Sequence, residues 1–408
     1  MTSHKMRRLA VFTACFLIVL VSYCIRYSYG VLLPEMLPSL EISKTEAGVI
    51  YASFFIAYTI FSPVLGLLGD RMDIRWLLTI FTVLLGAGTF LMAFASSVLV
   101  ASLFFTIVGV GASATWVPVM ALAQKWAPDR HRGLTLAVID IGSAFSLILV
   151  STVLPRIVVT HSWQYAWMTL GGLAFILAII NYFMVRNPPV KATQETARPS
   201  LREFTNSIRN IYAGLLGNAR LWFIGLAYLL TGFAVMVPLT FMVTYAAEEL
   251  TFTYAAAARL IIIIGAGAIA GKVILGYLSD RISRKIILII CGLFIAVGCA
   301  GITWTSNYIV IFIFTIIFGA GYGAVWPMYA ACAADYFPRE YSGMVVGLWT
   351  LFLGIGLTLS PIVAGWLADI FGSLEWSFIA AGAGGLISIV FLLPLRRVKP
   401  GDISPYQE

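Results

Sequence analysis

The sequence predicts an all-α membrane protein whose 12 transmembrane helices form two pseudo-symmetric sets of six. Three observations predict this fold class. Hydrophobic residues make up 61% of the 408 residues and charged residues only 11%, and the mean hydropathy of +0.95 exceeds what a soluble domain of this length could keep in solution. Twelve apolar runs each approach the roughly 20 residues that cross a bilayer. Finally, the chain repeats itself after 210 positions, as in Gly66 and Gly276.

The repeat holds its register across half of the chain. The repeated pairs are Gly66 and Gly276, Leu68 and Leu278, Asp70 and Asp280, Arg71 and Arg281, Gly109 and Gly319, Gly111 and Gly321, Trp116 and Trp326, Pro128 and Pro338, and Gly133 and Gly343. Two similar halves in a very apolar chain typically enclose a pathway between them. The repeat therefore indicates a transporter.

The first apolar run begins near Leu9 after a basic start, which resembles a signal peptide. No small-residue cleavage site follows it, so we predict a retained helix. Continuous apolar runs lack the alternation of a membrane barrel, which favours helices throughout. The predicted spans are 9–33, 44–68, 75–96, 98–126, 131–157, 163–185, 220–247, 254–279, 285–305, 308–335, 340–370 and 375–395.

One long polar stretch, residues 187–219, separates the two sets of six spans and contains three prolines. We interpret it as a cytoplasmic linker between an N-terminal bundle (1–186) and a C-terminal bundle (220–408). Apolar residues recur at helical intervals over 201–216, which predicts an amphipathic helix lying on the membrane surface.

Basic residues are distributed unevenly between the predicted loops. The short segments on the side of both termini hold nearly all of them, and Lys44, Arg156 and Arg259 are the exceptions. Cytoplasmic loops retain Lys and Arg, so both termini are predicted to lie in the cytoplasm and the protein in the plasma membrane. This asymmetry and contact with anionic lipid account for the net charge of +8, and no nucleic-acid partner is needed.

Patterns that indicate catalysis or metal binding are absent from the sequence. The five cysteines fall in apolar spans without a CxxC spacing, and the three histidines do not form a metal set. No Ser-His-Asp, phosphate-loop or dinucleotide-binding pattern is present. The sequence therefore predicts neither an enzyme nor a bound cofactor or metal.

Two loop motifs resemble those of the major facilitator superfamily, whose loop between the second and third helices follows G-x-L-(A/S)-D-R-x-G-R-(K/R). The first copy here is GLLGDRMDIR (66–75) and the second is GYLSDRISRK (276–285). The resemblance covers residues 9–396 and implies a monomer with the major facilitator fold. It implies gating contacts for Asp70, Arg71, Asp280 and Arg281. The alternative is that these four residues only anchor loops at the head groups. The first copy departs from the motif at Asp73 and Ile74, so its interhelical charge network is expected to differ.

Substrate chemistry is inferred from ionisable residues inside the spans, because a charge at bilayer depth costs about 3 kcal/mol or more and needs a partner or a task. Arg26 lies about 17 residues into the first span, with Tyr23 and Tyr27 on neighbouring positions. This arrangement predicts a pocket for an anion. The alternative is an arginine that extends to the outer head groups.

A second cation, Lys272, lies eight residues before Asp280 on the eighth span, too deep to reach the head groups easily. The stretch GKVILGYLSDR (271–281) resembles the G-R-x-x-x-G-x-x-S-D-R pattern of monocarboxylate porters and the oxalate:formate antiporter. In those proteins the arginine pairs with the carboxylate of the substrate. Lys272 keeps the charge at that position and loses the bidentate fork, so the resemblance implies that it binds a carboxylate.

Asp140 is the acidic residue predicted to lie near the middle of the fifth span. Burial disfavours a charged carboxylate and a nearby cation favours it, a balance that suits a proton-coupling group. The alternative is a fixed counter-ion to Arg26 or Lys272. The aspartate that monocarboxylate porters carry four residues before the arginine is Ala268 here, so their proton site does not transfer.

Three aromatic residues complete the predicted binding site, namely Trp116 in the fourth span and Tyr322 and Trp326 in the tenth. They could wall a small cavity, and the nearby Pro118 and Pro327 permit bending. Their alternative role is helix packing or an interfacial belt.

The sequence predicts a secondary transporter that moves a small organic anion, expected to be a monocarboxylate, by alternating access with proton symport. Its expected partners are the anion, protons and membrane lipid. The alternatives are an anion exchanger, an efflux transporter of another small amphipathic compound, and a transporter-like receptor. A receptor is less favoured because no long cytoplasmic domain is evident to carry a signal.

Overall fold

A computed structural model describes residues 2–69, 72–128, 132–187, 214–279, 281–338 and 341–395. Twelve of its helices are long and apolar enough to cross a membrane, and we number these spans α1 to α12. In the first half they are α1 (Thr2–Leu40), α2 (Lys44–Leu68), α3 (Ile74–Leu91), α4 (Val98–Ala112 and Val117–Trp126), α5 (Arg132–Thr160) and α6 (Trp163–Met184).

The second half repeats this arrangement of six spans. They are α7 (Ala219–Glu248), α8 (Tyr254–Ser279), α9 (Arg284–Thr303), α10 (Tyr308–Tyr336), α11 (Ser342–Phe371) and α12 (Glu375–Leu392). Most of the predicted spans agree with these bounds to within three residues. The predicted amphipathic helix over 201–216 falls almost entirely outside the described residues.

Three of the predicted spans differ from the structure, the third of them because α3 ends at Leu91, five residues before the predicted end at 96. The first helix is longer than 9–33, because α1 continues through Pro34 and Pro38 to Leu40 and ends where Glu41 takes a positive φ of 53°. The fourth span is broken between Ala112 and Val117. Pro118 lies in the first turn of its second segment, where a missing N–H is tolerated. By contrast, α10 stays continuous across its own proline.

Polar side chains fix where several helices begin. Ser43 and Glu46 form a capping box at the start of α2, in which each side chain accepts a hydrogen bond from the other residue's backbone N–H. Asp73 accepts a hydrogen bond from the backbone N–H of Arg75 at the start of α3. Asn307 accepts hydrogen bonds from the backbone N–H groups of Ile309 and Val310 at the start of α10. These caps satisfy N–H groups that have no partner within the helix.

Antiparallel spans place the connecting segments alternately at two faces of the bundle. We call the face where α1 begins and α12 ends the terminal face, and the other the opposite face. The two halves meet along three helix pairs, α1 with α7, α2 with α11 and α5 with α8. Several of the closest approaches lie on the side toward the opposite face. A Cβ added at Gly30 would lie 2.2 Å from the carbonyl oxygen of Leu239, and one at Gly48 would lie 2.1 Å from that of Pro361.

Polar contacts between the halves close the opposite face. The Asp369 carboxylate at the end of α11 accepts hydrogen bonds from the backbone N–H groups of Lys44 and Thr45, with N–O distances of 3.2 and 2.8 Å. It thereby caps the first turn of α2 from the other half. The Lys44 ammonium lies 3.0 Å from a carboxylate oxygen of Glu248 on α7. The Tyr254 hydroxyl donates to the carbonyl of Val31 at 2.9 Å.

Glycines near the terminal face have more space around them. A Cβ at Gly276 on α8 or at Gly133 on α5 would meet no described atom within 4 Å beyond its own helix surroundings. The same holds for Gly343 and Gly347 on α11. Among the described glycines, close approaches between the halves therefore lie toward the opposite face and in the middle of the bundle.

Candidate functional site

An ion pair joins the two halves near the middle of the bundle. The Lys272 ammonium on α8 donates to a carboxylate oxygen of Asp140 on α5, with an N–O distance of 2.6 Å. It also lies 3.3 Å from the backbone carbonyl oxygen of Asp140 and 3.1 Å from the Ser143 hydroxyl. An ammonium has three N–H donors, so these α5 groups can occupy all of them.

Ser143 holds the acceptor side of this contact in place. It lies three residues after Asp140, on the same face of α5, and its hydroxyl donates to the Asp140 carbonyl at 2.7 Å. The Lys272 and Asp140 side chains are 13% and 26% exposed, so solvent screens their attraction only in part. Of the two roles considered for Asp140, the structure displays that of a counter-ion, and its partner is Lys272.

Arg26 occupies a different environment, composed of aromatic rings. The central carbon of its guanidinium lies 4.8 Å from the ring centre of Phe55, 5.5 Å from that of Tyr23 and 5.9 Å from that of Tyr58. Its Nε atom is buried and has no hydrogen-bond partner among the described residues. Within that part of the chain, Arg26 also takes part in no ion pair.

The geometry of Arg26 differs from that of an arginine extended to the head groups. Its side chain packs against rings of α1 and α2, and cation–π attraction from such rings offsets part of the cost of burial. The rings carry no net negative charge, and so the guanidinium charge is not neutralised. Arg26 therefore provides a cation that has no anionic partner among the described residues.

Tyrosines connect the surroundings of Arg26 to the second half. The Tyr27 hydroxyl on α1 and the Tyr322 hydroxyl on α10 hydrogen-bond to each other across the interface between the halves. Asp140 lies close enough to Tyr23 and Tyr322 to act on both electrostatically. Arg26, its tyrosines and the Lys272–Asp140 pair thus belong to one central site.

The two repeated tryptophans lie on either side of this site. Trp116 lies in the break of α4, and its ring meets that of Tyr23 edge to face at 5.9 Å. Trp326 on α10 lies 6.0 Å from the ring of Tyr322 and 5.9 Å from that of Tyr228 on α7. Both tryptophans are partly buried. The structure therefore brings all eight predicted binding and coupling residues into one region.

Sequence reasoning missed several residues of this region, namely Phe54, Phe55, Tyr58, Ser143 and Tyr228. Phe55 and Tyr58 lie three apart, on one face of α2, but the sequence does not show that this face points at Arg26. Ser143 could have been found, because a hydroxyl three residues after an intramembrane aspartate shares its face. For Tyr228 the sequence offers no comparable signal.

The predicted gating residues are only partly within the described chain. Asp70, Arg71 and Asp280 lie outside it. Arg281 is exposed, and its guanidinium lies 4.6 Å from the ring centre of Tyr277 and donates to that residue's hydroxyl. These contacts lie within one half, and gating by the four residues stays a prediction.

The two copies of the loop motif form different contacts, as their sequences indicate. In the second copy, Arg284 donates to a carboxylate oxygen of Asp335 at 2.5 Å and so ties α9 to the end of α10. The first copy has Ile74 at the position of Arg284 and cannot form that pair. Its Asp73 instead caps α3, and the Arg75 guanidinium lies over the ring of Tyr182 at 4.9 Å.

Metal binding has no support in the described chain, where no group of three His, Cys, Asp or Glu side chains is close enough to hold an ion. All five cysteines are free and buried in helix packing. The site's chemistry is therefore that of two cations, one carboxylate and aromatic hydroxyls. Such a set can bind an anion and exchange a proton.

Comparisons with known proteins agree with this architecture. The hexuronate transporter of Bacillus subtilis is 23% identical to this chain, over 96% of the chain and 95% of the relative. The probable sulfoacetate transporter of Cupriavidus necator is 22% identical, over 98% and 96%. The crystal structure of a bacterial homolog of the human lysosomal transporter Spinster, inward-facing and unoccupied, superposes with a TM-score of 0.76 at 15% identity over 95% of each chain.

A family model matches the chain in two separate ranges. The model described as Major Facilitator Superfamily matches residues 15–272 and, separately, residues 224–408. The two matches together cover nearly the whole chain, including both sets of six helices. The protein is a multi-pass integral membrane protein, and it belongs to the Major Facilitator Superfamily of secondary transporters.

Proposed function

We propose that this transporter moves a small organic anion, a monocarboxylate in particular, together with a proton. Arg26 binds the carboxylate and Asp140 carries the proton. The observation that carries the proposal is the contrast between the two cations: Lys272 is paired with Asp140, whereas Arg26 has no anionic partner in the described chain. Transporters of hexuronate and sulfoacetate among the relatives support an anionic substrate.

The charge balance of the site suits one anionic group. Lys272 and Asp140 neutralise each other, which leaves the single positive charge of Arg26. A bound carboxylate together with a protonated Asp140 returns the site to the single positive charge that it carries when empty. Because an uncompensated charge is costly at this depth, a site that has taken up the proton alone, with two positive charges, is unfavourable to enclose, and the anion favours the states through which the halves rock.

The paired lysine explains how proton and anion binding can be coupled. Protonation of Asp140 removes the negative charge that holds Lys272, and it leaves the ammonium free to attract the substrate carboxylate as well. Binding of the anion in turn replaces the negative charge of Asp140 and favours its protonation. Each ligand thus raises the affinity for the other, as reciprocal linkage requires. In this scheme Lys272 binds substrate only in the protonated state of the site.

The closed and open faces supply the alternating-access part of the proposal. The helix pairs α1 with α7 and α2 with α11 touch closely on the opposite-face side of the site, whereas Gly133, Gly276 and Gly343 have free space toward the terminal face. With the termini in the cytoplasm, as the basic loops predict, this state releases substrate to the cell interior. Rocking of the halves then exposes the site to the outside.

The test measures uptake of labelled mono- and dicarboxylates into proteoliposomes, with and without an inward proton gradient. We expect the gradient to stimulate uptake of a monocarboxylate in the wild type. In Asp140→Asn, the gradient should no longer stimulate uptake while exchange of internal for external substrate continues. Lys272→Ala should lose uptake under both conditions. Glu375→Gln, an exposed carboxylate at the start of α12, is the matched control and should behave like the wild type.

Two outcomes would contradict the proposal in different ways. Undiminished gradient stimulation in Asp140→Asn would remove this residue from proton coupling. Anion exchange in the wild type without any effect of the gradient would instead favour the exchanger. Failure of every anion to enter would refute anion transport itself.

A further inference from the structure

We propose that the substrate is a planar aromatic monocarboxylate, with its carboxylate at Arg26 and its ring among the aromatic side chains of the site. The inference rests on the proposed function, because it takes the anion site at Arg26 as given. It differs from the sugar acids that the hexuronate relative suggests. Three features of the site carry it: the continuity of the rings, the scarcity of amide side chains and the single net charge.

Aromatic rings form one series in each half, and the hydrogen bond between Tyr27 and Tyr322 joins the two series. Around Arg26 they belong to Tyr23, Phe54, Phe55 and Tyr58, and the rings of Phe54 and Tyr58 are stacked 6.0 Å apart. From Tyr23 the series continues to Trp116 at 5.9 Å. In the other half, Tyr322, Trp326 and Tyr228 form a second series with ring centres 6.0 and 5.9 Å apart.

The angles between these rings matter for a flat ligand. The ring planes of Trp116 and Tyr23 meet at 67°, and those of Trp326 and Tyr322 meet at 86°. Each tryptophan therefore makes an edge-to-face contact with its neighbouring tyrosine. Tilted and edge-to-face contacts are favourable geometries for additional rings. A planar ligand ring beside either tryptophan can stack on it or meet it edge on.

Hydrogen-bonding side chains suited to a sugar are scarce. The chain has ten Asn and Gln residues. Those in the described spans lie within about one turn of a helix end, and the most buried of them is Asn181. It is fully buried and donates to the Thr82 hydroxyl at 3.1 Å, in the packing of α6 against α3. A sugar acid would therefore rely on hydroxyl side chains, and each of its own hydroxyls left without a partner weakens binding roughly tenfold.

Charge separates monocarboxylates from dicarboxylates. The uncompensated charge in the described site is that of Arg26, because Lys272 is already paired with Asp140. In the proposed scheme Asp140 takes up a proton together with the substrate, so a monocarboxylate leaves the net charge of the site as it is when empty, whereas a dicarboxylate changes it by one. One carboxylate on an aromatic ring matches both the charge and the surface of the site.

The experiment compares three carboxylates of similar size by calorimetric titration of the purified protein at neutral pH. Benzoate has the aromatic ring, cyclohexanecarboxylate has a more apolar ring without π electrons, and glucuronate has a ring with hydroxyls. We expect benzoate to bind at least about tenfold more tightly than either of the others. Titration avoids the passive membrane diffusion of benzoic acid, and exchange in proteoliposomes, with empty liposomes as the blank, then tests transport.

Substitutions of the two tryptophans test the role of the rings. Trp116→Leu and Trp326→Leu should each weaken benzoate binding by about three- to tenfold, the range of one aromatic contact. Trp116→Phe and Trp326→Phe should retain most of the affinity. Trp366→Leu replaces a half-exposed tryptophan on the lipid-facing side of α11 and is the matched control, with no change expected.

The possible outcomes separate this inference from the proposed function. Tighter binding of glucuronate, or equal binding of benzoate and cyclohexanecarboxylate, would overturn the aromatic substrate and leave anion transport intact. If none of the three binds, and the carboxylate panel is not transported, the proposed function fails together with the inference. The aromatic substrate is supported if benzoate binds most tightly, if the Trp→Leu variants lose this preference and if the Trp→Phe variants keep it.

Discussion

At the scale of single residues, the cost of burying charge explains both what could be predicted and what could not. Arg26, Asp140 and Lys272 were found from the sequence because charged side chains within spans are expensive and rarely accidental. Their partners could not be found in this way. Asp140 could have paired with either cation, and 132 positions separate it from Lys272. Only the packing of α5 against α8 decides that choice.

Arg26 gives a prediction at this scale. Arg26→Gln should weaken substrate binding about 10- to 100-fold, because a charged hydrogen-bond donor is lost. Arg26→Lys keeps the charge and loses the planar fork that fits a carboxylate, so its affinity should fall by about tenfold. Equilibrium binding of the substrate found by uptake is the measurement. Arg259→Gln, an exposed arginine bonded to its own helix, should change nothing, and an unaltered Arg26→Gln would remove Arg26 from the site.

At the scale of helices, the sequence predicts where the spans lie but does not predict where a helix is broken. Apolar runs of about 20 residues are forced by the bilayer thickness, which is why the spans were predicted well. The break of α4 depends on how residues 113–116 are accommodated. There the Thr115 hydroxyl bonds to the Ala112 carbonyl and to the Ser22 hydroxyl of α1. Such tertiary compensation of backbone groups is invisible to hydropathy.

The departure of the first loop motif leads to a prediction for the start of α3. Asp73 stands where the family has glycine, and its side chain caps the helix. Its repeat equivalent, Ser283, begins α9 without a side-chain cap. Asp73→Ala should therefore destabilise the protein by about 1 kcal/mol, whereas Ser283→Ala should have little effect. The measurement is the thermal unfolding midpoint in detergent, and equal shifts for both variants would rule out the capping role.

At the scale of the whole molecule, Gly48 and Gly276 relate to the two alternating states of a transporter, and the structure is in one of these states. Gly48 is essential to the closed opposite face, because a Cβ there would lie 2.1 Å from the Pro361 carbonyl oxygen. Gly276 has free space around it in the described chain, and yet it belongs to the repeated loop motif. A small residue permits close helix approach. We therefore predict that Gly276 contacts the other half only in the alternative state, in which the terminal face closes.

This asymmetry predicts opposite effects for two identical substitutions. Gly48→Ala should prevent closure of the opposite face and shift the protein toward the state open on that side. Gly276→Ala should hinder closure of the terminal face and hold the protein in the state seen here. Both variants should still bind substrate and should transport it more slowly, because each state retains the central site but the exchange between states is impaired.

Distances between spin labels at the opposite face measure this shift. Ser96 and Ser306 are exposed loop residues on that face, 210 positions apart and one in each half, and their cysteine variants can be labelled because the five native cysteines are buried. Relative to the labelled wild type, Gly48→Ala should lengthen the distance distribution. Gly276→Ala should narrow the distance distribution to the short distances of the closed opposite face. A change in the same direction for both glycines would mean that Gly276 acts within its own half, and that the rocking of the two halves does not depend on its close approach.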